Sequence, residues 1–291
     1  MSLAKFEIFS AVVETGSLSE ASLKMGLTQS AVSHALASLE SEWGFSILKR
    51  GRSGIQLTSN GEFVLQYVRE TLKCNEILLQ KISSLNGLEA GTIRIGTFSS
   101  VSIQWLPKIL NHFRENYPSV EIKLLEGDYD EIEQWIISGA VDFGFLSLPV
   151  AKSLEVIPLK EDRMLCILPV KHPLAQLDQI GMEQIKKEEI IMPRAGCDSD
   201  IKRIFKENNM TPNVKFELAD DQAIFSMVEN GMGISILPEM ALHRLPGNIR
   251  ICSLEGDFFR SIGAVAVSFK SLSPAAKKFI EHLQLWLDQQ E

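Results

Sequence analysis

The chain has 291 residues, a net charge of −8, four cysteines and an apolar content of 45%. This length favours two or more domains, because a single hydrophobic core seldom extends that far. The composition is that of an ordinary globular protein and excludes a disulfide scaffold and a chain with an apolar run long enough to cross a membrane. The first residues lack the basic and apolar regions of a secretory signal. We therefore expect a cytoplasmic protein with reduced thiols and no membrane partner.

The acidity is uneven along the chain. Residues 1–90 hold eight Lys and Arg against nine Asp and Glu, and the remainder holds 21 against 28. The N-terminal part is therefore nearly neutral, with one dense basic cluster at Lys49, Arg50 and Arg52. Any affinity of this part for an anionic polymer would come from the placement of its charges and not from their sum.

Residues 3–43 predict three short helices. Apolar residues at helical intervals predict the first helix over residues 3–14. Residues 17–43 predict two more helices joined by a tight turn at Gly26, with Ser19 as the candidate cap of the first and Thr28 of the second. In the last of these helices the inward-facing residues recur at helical spacing, at Val32, Leu36 and Leu39.

The opposite face of this third helix is polar where the helix begins. A helix, a glycine turn and a second helix with a polar leading edge are typical of a helix-turn-helix that enters the major groove of DNA. Gln29 can offer a donor and an acceptor to adenine, and Ser33 can reach a base edge or a phosphate. Neutral His34 is less suited to a bidentate guanine contact, and a solvent-facing role for it stays open. The candidate DNA contacts of this helix are Thr28, Gln29, Ser30, Ser33 and His34.

Residues 45–58 predict a β-hairpin, or wing, with a turn at Ser53-Gly54 and a basic tip. A wing beside a helix-turn-helix is expected to contact phosphates or the minor groove, where arginine is well suited. Arg50 and Arg52 are the candidate contacts, and bracing of the wing is the alternative for Arg50.

Residues 59–88 predict a long helix, since proline is absent and glycine occurs only near the two ends. The a/d pattern of a coiled coil is present at Leu65, Val68, Leu72, Asn75, Leu79 and Ile82. We expect this helix to pair with its copy in a homodimer, and an amphipathic helix packed on its own chain is the alternative. Cys74 adjoins the pattern, and a redox role for it stays open.

A set of short motifs covers about the first fifth of the chain. They are Phe6 and Phe9, Gly16-Ser17, Ala21-Ser22, Gln29-Ser30-Ala31-Val32-Ser33, Leu39-Glu40, Gly44, Arg50, Leu57-Thr58 and Gly61. This pattern resembles the opening of the LysR-type transcriptional regulators. The resemblance implies an effector-responsive regulator that binds double-stranded operator DNA. It also implies a tetramer of two dimers, and contact with RNA polymerase is compatible with it.

Beyond residue 91 strands alternate with helices, which implies a parallel sheet covered on both faces. The predicted strands are 92–96, 120–125, 141–146, 164–168, 190–192, 214–218, 233–237 and 262–269. The predicted helices are 104–117, 131–138, 182–187, 200–208, 223–229 and 274–287. Two similar α/β halves in series resemble the periplasmic-binding-protein-like effector domain of the LysR family.

The predicted fold is thus an α+β multidomain chain. Its parts are an N-terminal winged helix-turn-helix at 1–58, a linker or dimerisation helix at 59–88 and an effector-binding domain at 91–291. The resemblance implies two subdomains, one at about 91–162 with 268–291 and the other at about 163–267.

Polar residues collect where strands of this domain end. Ser99, Ser100 and Ser102 lie where a strand leads into a helix, and free N–H groups and hydroxyls there suit an anion or a small polar ligand. Plain helix capping explains the serines equally well. Ser147 follows the third strand and would face the same crevice. Residues 194–198 also follow a strand and precede a helix, and we call this segment the second lip of the crevice. It carries Arg194, Cys197 and Asp198.

The effector is expected to be a small polar molecule, with an anion as one option. Arg194 can pair a carboxylate or phosphate, and its alternative is a plain surface arginine. Cys197 can sense oxidants, and its alternative is an inert thiol.

The sequence contains no catalytic constellation. Gly231 and Gly233 lack the third glycine and the preceding strand of a dinucleotide-binding fingerprint, and P-loop, zincin and nucleophile-elbow motifs are missing. Four aspartates fit helix caps and solvated loop charges better than metal ligands: Asp198, Asp200, Asp220 and Asp221. We expect no enzymatic activity and no cofactor. The alternatives are an effector-independent DNA-binding protein and a solute-binding or enzymatic α/β protein with a helical cap.

Overall fold

The computed structural model describes residues 2–51, 54–85, 90–194, 196–243 and 245–290, and at residues 50, 51, 54, 84 and 85 it describes the backbone alone. The chain forms two compact units. The first holds residues 1–91 with short segments at 138–140 and 272–276, and the second holds the rest. No helix of the described residues combines the length and the apolarity needed to cross a membrane.

The first unit is a winged helix-turn-helix followed by a long helix, as predicted. Its elements are α1 (Leu3–Thr15), α2 (Leu18–Met25), α3 (Gln29–Trp43), β1 (Leu48–Gly51), β2 (Gly54–Leu57) and α4 (Ser59–Leu85). β1 and β2 pair antiparallel, with Leu48 opposite Leu57.

Local capping explains where the two central helices begin and end. Ser17 caps α2, because its extended backbone lets its side chain accept from Glu20 N at 3.5 Å. The prediction of Ser19 as this cap is wrong, since Ser19 lies inside α2 and its carbonyl accepts from Ser22 Oγ. Thr28 caps α3 as predicted, by accepting from Ala31 N. Gly26 ends α2 at φ 65°, in the left-handed region that favours glycine.

The helices of the first unit share one hydrophobic core. Fully buried side chains from three helices and from the start of the wing fill it, at Phe9, Val12, Ala21, Val32, Leu39 and Ile47. Burial of α3 on this side leaves the opposite side of α3 to the solvent, which is the arrangement that the helical spacing predicted.

The predicted a/d pattern of α4 is divided between two environments. Leu65 and Val68 are buried in the core of the first unit, so this part of the helix packs on its own chain. Leu79 and Ile82 are 56% and 46% exposed, as is the neighbouring Leu78 at 56%. Among the a/d positions, those that are exposed therefore lie in the second half of α4. Phe63 and Tyr67 in the first half are exposed as well, at 67% and 55%, but they lie outside the a/d pattern. Residues 86–88 of the predicted helix lie outside the described residues.

Residues 91–148 form the first α/β half of the C-terminal domain. Its elements are β3 (Gly91–Thr97), α5 (Ser99–Gln104), α6 (Leu106–Asn116), β4 (Val120–Glu126), α7 (Tyr129–Ile137) and β5 (Phe143–Leu148). The helix predicted over about 104–117 is present as α6, and the preceding α5 was not predicted. The two helices are separated at Trp105, whose φ of −107° departs from the helical value. Pro107 stands in the first turn of α6 and lacks the N–H that a continuous helix would use.

Residues 155–288 form the second half and the return of the chain. The strands are β6 (Glu155–Pro169), β7 (Gln179–Ile180), β8 (Ile190–Pro193), β9 (Val214–Leu218), β10 (Ser235–Pro238), β11 (Ile249–Leu254) and β12 (Phe259–Ala266). The helices are α8 (Met182–Ile185), α9 (Ser199–Glu207), α10 (Asp221–Glu229) and α11 (Pro274–Asp288). The sequence pattern does not predict β7 or β11.

The main sheet is mixed, so the expectation of a parallel sheet is wrong. Its strand order is β4-β3-β5-β12-β6-β11-β7, and β10 also pairs with β6. β3 is parallel to β5, whereas β12 is antiparallel to both β5 and β6. The 15-residue β6 accounts for the difference, because its polar first half pairs with β12 and its apolar second half pairs with β10 and β11. Only that second half had an apolar strand pattern.

Candidate functional site

The start of α3 presents a continuous polar surface. Thr28, Gln29, Ser30, Ser33 and His34 are all exposed, while Val32 on the other face is fully buried. Thr28 Oγ1 lies 3.1 Å from Ser30 Oγ, so these two hydroxyls are hydrogen-bonded to each other at the start of the helix. The side chains of Gln29, Ser33 and His34 make no hydrogen bond with another described residue. Their side chains are therefore available to an external partner.

The wing is described in part. Arg50 lies in β1 opposite Ile55, and its side chain is beyond the described atoms. Arg52 lies outside the described residues. Both arginines stay predictions as DNA contacts.

The C-terminal domain contains a cavity of about 310 Å³. Both α/β halves contribute to its lining, since Phe98 and Tyr129 come from the first and Met164 and Leu237 from the second. Among the predicted effector residues, those that line it are Ser99, Ser100, Arg194 and Cys197. The structure thus brings the serine-rich segment and the second lip to one cavity.

The other predicted effector residues are occupied elsewhere. Ser102 Oγ donates to Thr97 Oγ1, and Ser147 Oγ donates to Asp200 at 2.9 Å. Asp198 is buried and paired with Lys202 at 2.5 Å. None of these three is among the residues that line the cavity.

Arg260 is the central cation of the cavity and is only 4% exposed. Its Nε and Nη2 donate to Asp162 Oδ2 at 3.0 and 2.7 Å. Nη2 also donates to Ser100 Oγ at 2.7 Å, Nη1 donates to Tyr129 Oη at 2.9 Å, and the guanidinium lies 5.0 Å from the Phe98 ring. Burial alone would lower the pKa of Arg260, but Tyr129 and Asp162 raise it. Arg260 is therefore held as a cation.

Sequence reasoning missed this arginine. Arg260 stands in the run FFRSIGAVAV, where a charged residue in an apolar strand was the available signal. A charge in such a strand needs a buried partner, and Asp162 lies directly opposite in β6. Ser100, predicted as an effector contact, is instead 2% exposed and holds Arg260.

Carboxylates outnumber cations in the described lining of the cavity. Arg194 and Arg260 face five acidic side chains, which are Glu126, Asp128, Glu131, Asp200 and Asp221. Burial raises the pKa of Asp200, although its hydrogen bond to Ser147 opposes this. Burial also raises the pKa of Asp221, and the charge of Arg260 opposes it.

The aspartates predicted as caps and solvated loop charges have different roles. Asp220 is a cap, because it accepts from Gln222 N at 2.7 Å at the start of α10. Asp200 is 5% exposed and is bound by Arg203 as well as Ser147, so its description as a solvated charge is wrong. Asp221 is half-buried in the cavity wall.

Two further ionisable groups in the wall are held neutral. Burial raises the pKa of Tyr129 to about 12, against the opposing charge of Arg260. Cys197 is exposed at the surface of the cavity, yet partial burial of its thiol, with the negative charge of Asp128 as a second cause, raises its pKa to about 11. Cys197 is therefore a thiol at neutral pH, which disfavours the fast oxidation that a sensing thiolate undergoes.

A winged helix-turn-helix with an exposed polar leading edge, joined to a two-part α/β domain around a polar cavity, defines a class. It is the class of DNA-binding regulators that carry a ligand-binding domain.

Comparison with protein families assigns the chain within this class. The family described as "Bacterial regulatory helix-turn-helix protein, lysR family" matches residues 3–62, and the family described as "LysR substrate binding domain" matches residues 86–288. The chain is 34% identical over 284 residues to the HTH-type transcriptional regulator YvbU of Bacillus subtilis, which covers 97% of each protein. The chain belongs to the LysR family and is a DNA-binding transcriptional regulator with an effector-binding domain.

Solved structures agree on the fold. A full-length OxyR variant from Pseudomonas aeruginosa aligns with a TM-score of 0.79 and 20% identity, over 99% of this chain and 94% of that one. Full-length CbnR in complex with its target DNA aligns with a TM-score of 0.68 and 19% identity, over 98% and 99%. The expectations of the family, the fold class and the function class are confirmed.

Proposed function

We propose that this regulator reads operator DNA with the first two turns of α3, through Gln29, Ser30 and Ser33. The exposed polar start of a helix whose other face is buried is the observation that carries this proposal. Gln29 can bind adenine through N6 and N7, and the hydroxyls can reach base edges or phosphates. Thr28 orders the helix start by capping it, and His34 adds a contact further along the same face. The CbnR structure, solved with its target DNA, supports the general mode of binding.

Arg50 and Arg52 of the wing supply phosphate or minor-groove contacts in this proposal. The nearly neutral charge of residues 1–90 gives these two cations more weight than they would have in a basic domain. We expect Arg52→Ala to weaken binding to all duplexes and to reduce the salt slope by about one. A gel-shift titration at several salt concentrations measures this, and an unaltered slope excludes a phosphate contact.

The test of the groove assignment starts with selection of a preferred duplex from a random pool. Gln29→Ala and Ser33→Ala should each reduce discrimination between this duplex and a scrambled one by about tenfold, within the range of about 1–3 kcal/mol for a base contact. Ser41→Ala is the matched control, because Ser41 is an exposed serine in the last turn of α3. Equal discrimination by Ser33→Ala and Ser41→Ala would contradict the assignment.

We further propose that the small-molecule effector binds in the cavity of the C-terminal domain. Its volume suits a metabolite-sized ligand, and its polar groups converge from both α/β halves. An effector that binds the closed arrangement better than an open one would shift the balance between them. The proposal is binding without turnover, as in a regulator and not an enzyme.

Obstruction of the cavity tests this second proposal. Ala219 is an exposed member of the lining, so Ala219→Trp should fill the cavity without unfolding the domain. Compounds of a metabolite library that raise the melting temperature of the wild type should fail to do so in this variant. DNA binding without effector should be unchanged. Full retention of every response in Ala219→Trp would place the effector elsewhere.

The assembly that we propose is a homodimer through the second half of α4, where the exposed a/d positions lie, and a tetramer of two such dimers. RNA polymerase is the proposed partner on the promoter, and the cytoplasm is the proposed location because the operator is there. The domain limits 1–58, 59–88 and 91–291, and the subdomain limits near 162 and 268, stay part of the proposal.

A further inference from the structure

The charges of the cavity do not match the anionic effector that the serine-rich segment suggested. Each cation of the described lining already faces a carboxylate, since Arg260 binds Asp162 and Arg194 lies 3.7 Å from Asp128. Asp200 in turn is bound by Arg203. An anionic ligand would therefore enter a wall that carries more negative than positive groups, and each described cation that it met there would already be paired with a carboxylate.

Asp221 is a carboxylate of this wall that feels the charge of Arg260 but has no direct contact with a cation among the described residues. It stands in the first turn of α10, half-buried, and makes no hydrogen bond or ion pair with any of them. Burial without a direct partner is costly for a carboxylate. Burial raises the pKa of Asp221, and the charge of Arg260 opposes it. A ligand cation at this position would supply the missing partner.

Arg260 provides a second, independent polar group. Four of its five N–H groups donate to Asp162, Ser100 and Tyr129, and one Nη1 hydrogen has no acceptor among the described residues. The guanidinium is 4% exposed, and the cavity adjoins it. An oxygen atom of the ligand can accept this hydrogen.

The other side chains that line the cavity indicate whether the cation that Asp221 binds is a metal ion or an organic cation. No group of three or more metal-ligating side chains exists among the described residues, so the carboxylates do not form a metal cage. Apolar side chains lie between the polar groups, at Met164, Ile201 and Leu237. These surfaces match a short hydrocarbon chain.

We propose that the effector is a small aliphatic amine that also carries an oxygen acceptor. The Asp221 carboxylate binds its ammonium group, Arg260 Nη1 donates to its oxygen, and its hydrocarbon chain packs on Met164, Ile201 and Leu237. This inference rests on the proposal that the cavity is the effector site. It replaces the expectation of an anion with one of a cation.

The test uses three matched series of about two to six carbons, a size that the cavity accommodates. They are amino alcohols, diols and hydroxy acids, which share a chain and a hydroxyl and differ in the charge of the other end. Binding is measured by calorimetry and by the melting temperature of the full-length protein. We expect at least one amino alcohol to bind, and to bind about tenfold or more tightly than the diol and hydroxy acid of the same length.

Two variants locate the ammonium group. Asp221→Asn should weaken binding of that amino alcohol by about tenfold or more, because it removes a charge-assisted contact. Asp220→Asn is the matched control: it removes the same charge at the adjacent residue, which caps α10 and does not line the cavity. It should change the affinity by less than about threefold, as expected for a screened surface charge.

Several results would overturn the inference. They are absence of binding by every amino alcohol, tighter binding of the diols or hydroxy acids, and equal effects of the two aspartate variants. The broader proposal is judged separately. A library compound of another charge class whose response is lost in Ala219→Trp would keep the cavity as the effector site while excluding the amine.

Discussion

Arg260 shows how one buried charge organises the wall of the cavity. The guanidinium joins strand β12 to Asp162 in β6, to Ser100 at the start of α5 and to Tyr129 in α7. Asp162 is itself 3% exposed and also accepts from the backbone N–H of Met240. Arg260 and Asp162 are both buried, so removal of either one leaves the charge of the other without a partner and without water to solvate it.

We expect Asp162→Ala to lower the free energy of unfolding by about 3–5 kcal/mol, since Arg260 would be left as an uncompensated buried cation. Urea unfolding measures this loss. The double variant Asp162→Leu with Arg260→Met should be less destabilised than Asp162→Ala alone, because it removes both charges.

The matched control for this pair is Arg194→Ala. Arg194 is 57% exposed in its pair with Asp128, so this variant should cost less than about 1 kcal/mol. Comparable losses for Asp162→Ala and Arg194→Ala would contradict the view that burial makes the Arg260 pair important.

Cys197 gives a second prediction at this scale. Its pKa of about 11 keeps the thiolate roughly a hundredfold scarcer at pH 8 than in a thiol with a pKa of 9.0. We expect alkylation of Cys197 by iodoacetamide in folded Cys74→Ser protein to be slow up to pH 9 and to accelerate toward pH 11. Peptide mass spectrometry resolves Cys197 from Cys166 and Cys252, which are buried.

Urea-unfolded protein is the control for this measurement, and there Cys197 should react with the pH dependence of an ordinary thiol. A midpoint below pH 9 in the folded protein would restore Cys197 as a candidate sensor of oxidants.

At the scale of elements, α4 combines two kinds of burial in one helix. Leu65 and Val68 belong to the core of the helix-turn-helix, whereas Leu78, Leu79 and Ile82 are exposed. Three large apolar side chains in five residues of an exposed helix are typical of a surface that another helix covers.

We expect Leu79→Asp with Ile82→Asp to abolish dimers while the protein stays folded, because the substitutions place charges in the proposed seam. Analytical ultracentrifugation measures the mass and circular dichroism the helix content. Lys81→Asp is the control on the same helix, since Lys81 is exposed and outside the a/d positions. An unchanged mass for the double variant would contradict pairing through this half of α4.

The elements also show which signals a sequence carries. α3 could be predicted because its cap, its glycine stop and its spacing are local, and Thr28 and Gly44 stand where those rules place them. The mixed sheet could not be predicted in this way. The first half of β6 is polar, and it is stabilised by pairing with β12, which lies about a hundred residues later in the chain.

The cavity was predictable only in part for the same reason. The serine-rich start of α5 was found from its position after a strand. The partner that occupies Ser100 is Arg260, 160 residues away, and no local pattern joins them. Asp221 was assigned as a cap or a solvated loop charge, because burial in a cavity wall has no local signature in the sequence.

At the scale of the whole molecule, regulation requires that effector and DNA affinities be coupled. If an effector changes the affinity for operator DNA by some factor, the DNA must change the affinity for the effector by the same factor. We expect calorimetric titrations with and without the selected duplex to give factors that agree within error.

This reciprocity also separates regulation from an independent ligand site. A compound that binds in the cavity, as judged by loss of binding in Ala219→Trp, but leaves DNA affinity unchanged would contradict its role as an effector. Such a result would favour a regulator whose large domain serves assembly alone.

The continuity of α4 has a final consequence for the promoter. An unbroken helix of 27 residues is about 40 Å long, and it begins inside the core that also holds α3. In the proposed dimer, two such helices would hold the two copies of α3 at a fixed separation, so the protein would set the rotational phase of the two recognition sequences around the duplex. Insertion of half a helical turn of DNA between them should be far more damaging than insertion of a whole turn.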